Sequence, residues 1–121
     1  MSTPFPLALY LARRDAYAAF LSAADQESSV CYWEAEGRYE SPEEATAARD
    51  EAYAVTRDAC NLITVEPTGP HKEAQALVEQ LRHLGRAGTE EQDWVSFKKA
   101  REVFIEAARG YLKETQGDRS N

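Results

Sequence analysis

The sequence predicts an all-α protein, an antiparallel up-down bundle of about four helices. Three observations carry this. Apolar residues recur at helical spacing through four stretches, and cap chemistry marks the helix starts. Strand signals are nearly absent, the nearest being the four residues Leu62-Ile63-Thr64-Val65. Short connections between the stretches favour antiparallel neighbours.

The first helix is read over roughly 6–35. Its inner face is Tyr10, Tyr17, Phe20, Ala24 and Cys31. Phe5, Leu9, Ala12 and Ala16 widen the apolar arc beyond what one neighbour needs. It is long, and a kink or break is allowed near Glu27 to Ser29; Gly37 ends the pattern. The second, over 42–65, has the clearest start. Ser41 caps free amides, Pro42 suits the first turn, and Glu44 stands where a capping box needs it. Its face is mostly small: Ala45, Ala48, Ala52, Val55, Ala59 and Leu62. Pro67 to Pro70 separate it from the third, over 70–85, which opens at Gly69-Pro70 with Glu73 close behind. Ala74, Leu77, Leu81 and Leu84 form its face, and Leu84-Gly85 reads as its stop. The fourth, over 90–113, follows the break from Gly85 to Gly88. Thr89 is its cap, with Gln92 three places on, and Trp94, Phe97, Phe104, Ala108 and Tyr111 line it. A short flexible tail is expected near 114–121. Bulky first and fourth helices against a small-lined second let backbones approach closely and still fill space.

A chain of 121 residues supports one domain with a real core. Its 43% apolar content is too high for a disordered chain of net charge −7. The charge is localised. Between Asp25 and Asp58 stand ten acids and three arginines, and the rest of the chain balances. No cluster of Lys and Arg offers counterion release, so direct nucleic-acid binding is not expected. The acidic stretch is either a solvated helix face or a surface for a basic protein partner. The apolar N-terminal stretch has no basic region before it and is interrupted at Arg13 and Arg14, so it does not read as a secretory leader. No run is long enough to span a bilayer. Cys31 and Cys60 form no CxxC pair. The expectation is a cytoplasmic protein whose cysteines are reduced core residues.

Two arginines interrupt apolar stripes. Arg13 falls between Tyr10 and Tyr17, and Arg101 between Phe97 and Phe104. An unpaired charge there is costly. Either each is a snorkelling or ion-paired residue, with Asp50, Glu51 or Asp58 of the second helix as partner, or each is a cationic spot under aromatic residues, able to take an anionic ligand. Trp33, with Tyr32 and Tyr39, lies in the acidic stretch and off the inner face of the first helix. It is either a cap on the end of the bundle or a binding anchor. Arg13, Trp33, Tyr39, Trp94 and Arg101 are the candidate interaction residues.

Nothing points to catalysis. His71 and His83 stand roughly 18 Å apart along one helix and cannot share a metal; Glu79 and His83 are a surface pair. Nucleophile elbows, P-loops and dinucleotide fingerprints are missing, and Gly85-Arg86-Ala87-Gly88 lacks the lysine and strand of a phosphate loop. No catalytic residue, cofactor or metal is assigned. One internal echo pairs Ala19-Phe20-Leu21-Ser22-Ala23-Ala24 with Val103-Phe104-Ile105-Glu106-Ala107-Ala108, through repetition or through chance in an Ala-rich chain.

Arg14-Asp15-Ala16-Tyr17-Ala18-Ala19-Phe20-Leu21, the connection Val65-Glu66-Pro67-Thr68-Gly69-Pro70 and the closing Phe104-Ile105-Glu106-Ala107-Ala108-Arg109 give the chain its character. In these it resembles the small Ala- and Arg-rich helical proteins of high-GC actinobacteria. The resemblance implies a cytoplasmic bacterial helical protein and carries no active-site residue with it. The leading expectation is a non-catalytic protein-interaction module, including self-association as a homodimer. The alternatives are an acidic inhibitor, antitoxin or immunity-like protein that binds a basic partner, and a sensor of a small anionic ligand through Arg13 or Arg101.

Overall fold

The computed structural model describes residues 5–87 and 90–120. They form four helices: α1 (Phe5–Ala35), α2 (Pro42–Thr64), α3 (His71–Ala87) and α4 (Glu91–Ser120). Among the described residues there is no strand, and no helix is long and apolar enough to cross a membrane. The expected cap at Thr89 and the side chain of Phe5 lie outside the described residues.

α1 runs unbroken through Glu27 to Ser29. The Ser28 and Ser29 hydroxyls donate to the Asp25 carbonyl, at 2.8 and 3.1 Å, and so stay within the helix. The helix ends in a Schellman motif. Arg38 N–H donates to the Trp33 carbonyl and Gly37 N–H to that of Glu34, both at 3.0 Å, with Gly37 at φ +71°. At the start of α2, the Ser41 hydroxyl accepts from Glu44 N–H at 3.1 Å. The Glu44 carboxylate returns to the amide of Glu40 rather than that of Ser41, a capping box displaced by one residue.

The inner face of α2 differs from expectation. Ala45, Ala52 and Ala59 are buried, but Val55 and Leu62 are 54% and 62% exposed, while Thr56 and Ile63 are buried. From an i, i+7 alanine seam the chain can continue at i+3 or at i+4; hydropathy favours Val55 and Leu62, yet i+4 is used. Thr56 tolerates burial because its hydroxyl lies 3.1 Å from the Ala52 carbonyl and 3.2 Å from that of Ala23. α3 begins one residue after Pro70 and passes through Gly85, so Leu84-Gly85 is not its stop. A glycine ends a helix when it turns left-handed; Gly85 has no positive φ and stays helical, at a cost of about 1 kcal/mol relative to Ala. α4 continues past 113, where a tail was expected, and Thr115 is buried within it.

Side-chain pairings fix the directions. Arg49 meets Glu34 and Thr56 meets Ala23, so α2 runs against α1. Tyr32 meets Trp94 and Phe20 meets Phe104, so α4 also runs against α1. His83 meets Asp93 across the α3–α4 hairpin, in place of the expected pairing with Glu79. The result is an up-down bundle in which α1 touches every other helix and α3 lies parallel to it across the diagonal; α2 and α4 do not meet. The core centres on Phe20 and Phe104, both fully buried, with ring centroids 5.0 Å apart and Tyr17 edge-on to Phe104. The internal echo therefore places equivalent phenylalanines against each other, and Ala24 and Ala108 are buried in both segments.

Gly37→Ala tests the α1 terminus. Nothing lies within 4 Å of an added Cβ, so only the left-handed backbone is penalised. The variant should lose about 1 kcal/mol in urea unfolding, and Gly37→Asn should lose less.

Candidate functional site

The five candidate residues fall into separate places. Trp33 and Tyr39 come together. Trp33 stands on the last turns of α1, off the core face, and the Schellman turn brings Tyr39 back beside it. With Val30, Ala48, Ala52 and Val55 they line a groove of about 300 Å³ on the outer side of the α1–α2 seam. Gln26 and Glu51 are the polar residues of its lining. Both aromatics are half-buried, and Val55 presents its side chain to solvent. Burial raises the Tyr39 hydroxyl above its ordinary pKa, and the charges of Glu34 and Glu44 add to this. The groove is built almost wholly from the acidic stretch. Of that stretch's acids, Glu51 lines the groove and Glu34 and Glu44 lie near enough to act on the Tyr39 hydroxyl, while Arg38 stands 2.6 Å from Glu36 and Arg49 2.8 Å from Glu34.

Trp94 lies elsewhere. It packs edge-on against Tyr32 and Phe97, with centroids 6.0 and 6.4 Å away, and belongs to the margin of the core between α1 and α4. Arg101 forms a bidentate pair with Asp25 of α1, at 2.8 and 2.9 Å. That hydrogen bonding holds the guanidinium above its ordinary pKa. Arg13 pairs with Glu66 in the α2–α3 connection and donates to the Thr115 hydroxyl at 2.6 Å. Neither arginine uses the acids of α2 that sequence reasoning offered. For Arg101 the reason is architectural: α4 does not reach α2. Both guanidiniums have carboxylate partners, so each holds helices together rather than facing an empty pocket.

Sequence reasoning missed Glu27. It is 6% exposed, and its Oε1 has no hydrogen-bond partner among the described residues. The residue lines an open cleft of about 400 Å³ between α1, α2 and α3, together with Cys31, Arg49, Asp50, Tyr53 and Arg82, while the Oε1 atom itself is closed to solvent. Burial raises its pKa, while the Thr56 hydroxyl and the Arg82 charge pull the other way. The only signal in the sequence was a carboxylate four residues from Cys31 on the inner side of α1. Burial and the neighbouring carboxylates push the Cys31 thiol up to about 11, and burial also raises Cys60. Both thiols therefore stay protonated near neutral pH and are poor nucleophiles. Among the described residues no three His, Cys, Asp or Glu side chains are placed to hold a metal. Compared with protein-family models, curated proteins and solved structures, the chain matches none.

Two measurements check these assignments. A double-mutant cycle on Asp25 and Arg101 should give a coupling of about 1 kcal/mol or less that shrinks with salt, because both side chains are partly exposed. Glu27→Gln should raise the melting temperature. The wild-type carboxyl, with its folded pKa raised, contributes most when protonated below the ordinary value of 4.5, and that contribution is lost as pH rises through the folded value. The advantage of the glutamine should therefore grow from pH 4.5 upward.

Proposed function

We propose that this chain is a non-catalytic protein-interaction module whose α1–α2 groove receives a basic, amphipathic segment of a partner protein. One observation carries the reading: the Trp33–Tyr39 groove is apolar inside and lies within the stretch that holds the whole acidic surplus. An aromatic-lined groove takes an apolar anchor, and surrounding carboxylates attract Lys and Arg on its flanks. Val30 and Trp33, three residues apart on α1, and Ala52 and Val55, three apart on α2, supply its apolar walls, which suits a helix laid into a groove. A second copy of this chain is a poorer occupant at this place, because two such acidic surfaces repel. The reading unites two expectations from the sequence, the interaction module and the acidic protein that neutralises a basic partner. Arg13 and Arg101, held by Glu66 and Asp25, give the anionic-ligand sensor less support.

The test uses tryptophan fluorescence with a synthetic helical peptide of lysine and leucine at i, i+3, i+4 spacing, and a glutamate–leucine peptide as counterpart. The lysine peptide should bind saturably, weaken with salt, and fail with the glutamate version. Val55→Asp separates the groove from plain charge attraction. It adds a negative charge in place of an apolar wall residue, so groove binding should fall about tenfold or more, whereas charge attraction alone would strengthen. Stronger binding to Val55→Asp, or unchanged binding to Trp33→Ala followed by calorimetry, defeats the reading.

A further inference from the structure

The sequence of α2 carries one more apolar row than the fold consumes. Ala45, Ala52 and Ala59 recur every seventh residue and are buried; Ala48, Val55 and Leu62 follow each of them by three. In a coiled-coil strand both rows pack inward. Here the core takes the first row and leaves Val55 and Leu62, each more than half exposed, along the outer α1–α2 seam. The groove at Val55 is not isolated there. A second hollow, of about 440 Å³, opens at Leu62 farther along the same seam. On α1, Ala12, Ala16 and Ala19 line the second hollow, and Ala23, Val30 and Trp33 line the first. Successive residues of this series stand three, four or seven apart and so share one face of α1. The two hollows therefore lie end to end along one trough, which from Ala12 to Trp33 runs about 32 Å at the rise of an α-helix. Among the described residues, none of α3 or α4 lines either part.

Length, shape and charge specify what covers it. A trough of this length with this repeat matches a helix of about three heptads. Its α1 wall is alanine from Ala12 to Ala23, so it receives large side chains; small against large is how packed helices fill space. Beside the row Ala48, Val55 and Leu62, on the side away from the buried alanines, stand Glu44, Glu51 and Asp58, also seven apart. All three are exposed, and none is in an ion pair among the described residues. Charges that flank an apolar heptad row choose a strand's partner, and three acids there select lysine or arginine. A second copy of this chain would set one acid row against another. We propose that the outer α1–α2 seam is completed by a single heptad-repeat helix of a partner protein, about three heptads long, with large apolar residues over the alanine wall and basic residues seven apart against Glu44, Glu51 and Asp58. This rests on the reading of the Trp33–Tyr39 groove given above and adds the repeat, the length and the charge register of its occupant.

The experiment titrates the intact protein, by tryptophan fluorescence, with a synthetic three-heptad peptide carrying leucine at a and d and lysine at e and g. A peptide of half that length and one of equal composition with its leucines moved off the heptad spacing are the controls. The full peptide should bind as one copy per chain, and each control about tenfold more weakly or worse. Leu62→Ala and Asp58→Lys lie beyond the Trp33–Tyr39 groove at exposed positions, and each should weaken the full peptide about tenfold. Among peptides with one lysine changed to glutamate, one should recover the loss caused by Asp58→Lys, which fixes the register. Binding that falls with Val55→Asp but not with Leu62→Ala or Asp58→Lys overturns this proposal and leaves the groove reading standing; absence of binding by any peptide overturns both. Equal binding of either control overturns it too, as does a protein that dimerises alone and loses the dimer in Leu62→Ala, which would assign the trough to a second copy.

Discussion

The close approach of α1 and α3 across the diagonal is the constraint on which the rest of the bundle depends. Parallel helices on a diagonal approach closely when small residues are buried on both, and here Ala24 of α1 and Ala74 of α3 are fully buried. Drawing that pair together pushes α2 and α4 to the outside, where each rests on α1 and α3 but not on the other. α1 then has three neighbours, which accounts for an apolar arc wider than a helix in a square bundle needs. The same geometry dictates the ion pairs. An arginine on α4 finds its carboxylate on α1, and the outer seam between α1 and α2 stays open enough to form grooves.

The interior is less uniformly apolar than its composition suggests, and its polar groups differ in how they are accommodated. Thr56 and Thr115 place their hydroxyls on carbonyls of their own helices, so a polar atom is buried with its hydrogen bond already made. Arg13 reaches Glu66 and Thr115 at once and joins segments far apart in sequence. Glu27 keeps its Oε1 unmet, as Tyr17 and Gln80 keep their side-chain oxygens.

Much of the fold was legible in the sequence because local chemistry and periodicity agreed. Ser41-Pro42 marked the start of α2 to the residue, Gly37 marked the end of α1, and the stripes on α1, α3 and α4 named most of the core. Legibility failed where two local answers were nearly equal. The α2 seam continues at i+4 through Thr56 instead of i+3 through Val55, a choice decided by contacts with α1 that no periodicity contains. Gly85 looked like a stop because a glycine carries no sign of whether its backbone will turn left-handed. Of the site, Trp33 and Tyr39 were visible as unabsorbed aromatics, but their meeting depended on the turn between them. Glu27 gave only its spacing to Cys31, since a charged residue on an amphipathic helix reads as solvated until a third helix covers it.

The long-range ties of α1 carry a consequence for the order of synthesis. This helix is synthesised before the other three, yet its main aromatic partner, Phe104, and the hydroxyl that completes the Arg13 contacts, Thr115, belong to α4. Domains assemble from the N-terminus as they emerge. Here α1 has three neighbours to find, and α2 covers only one side of it. Until α4 is made, Phe20 lacks the Phe104 ring, and closure of the bundle waits on it.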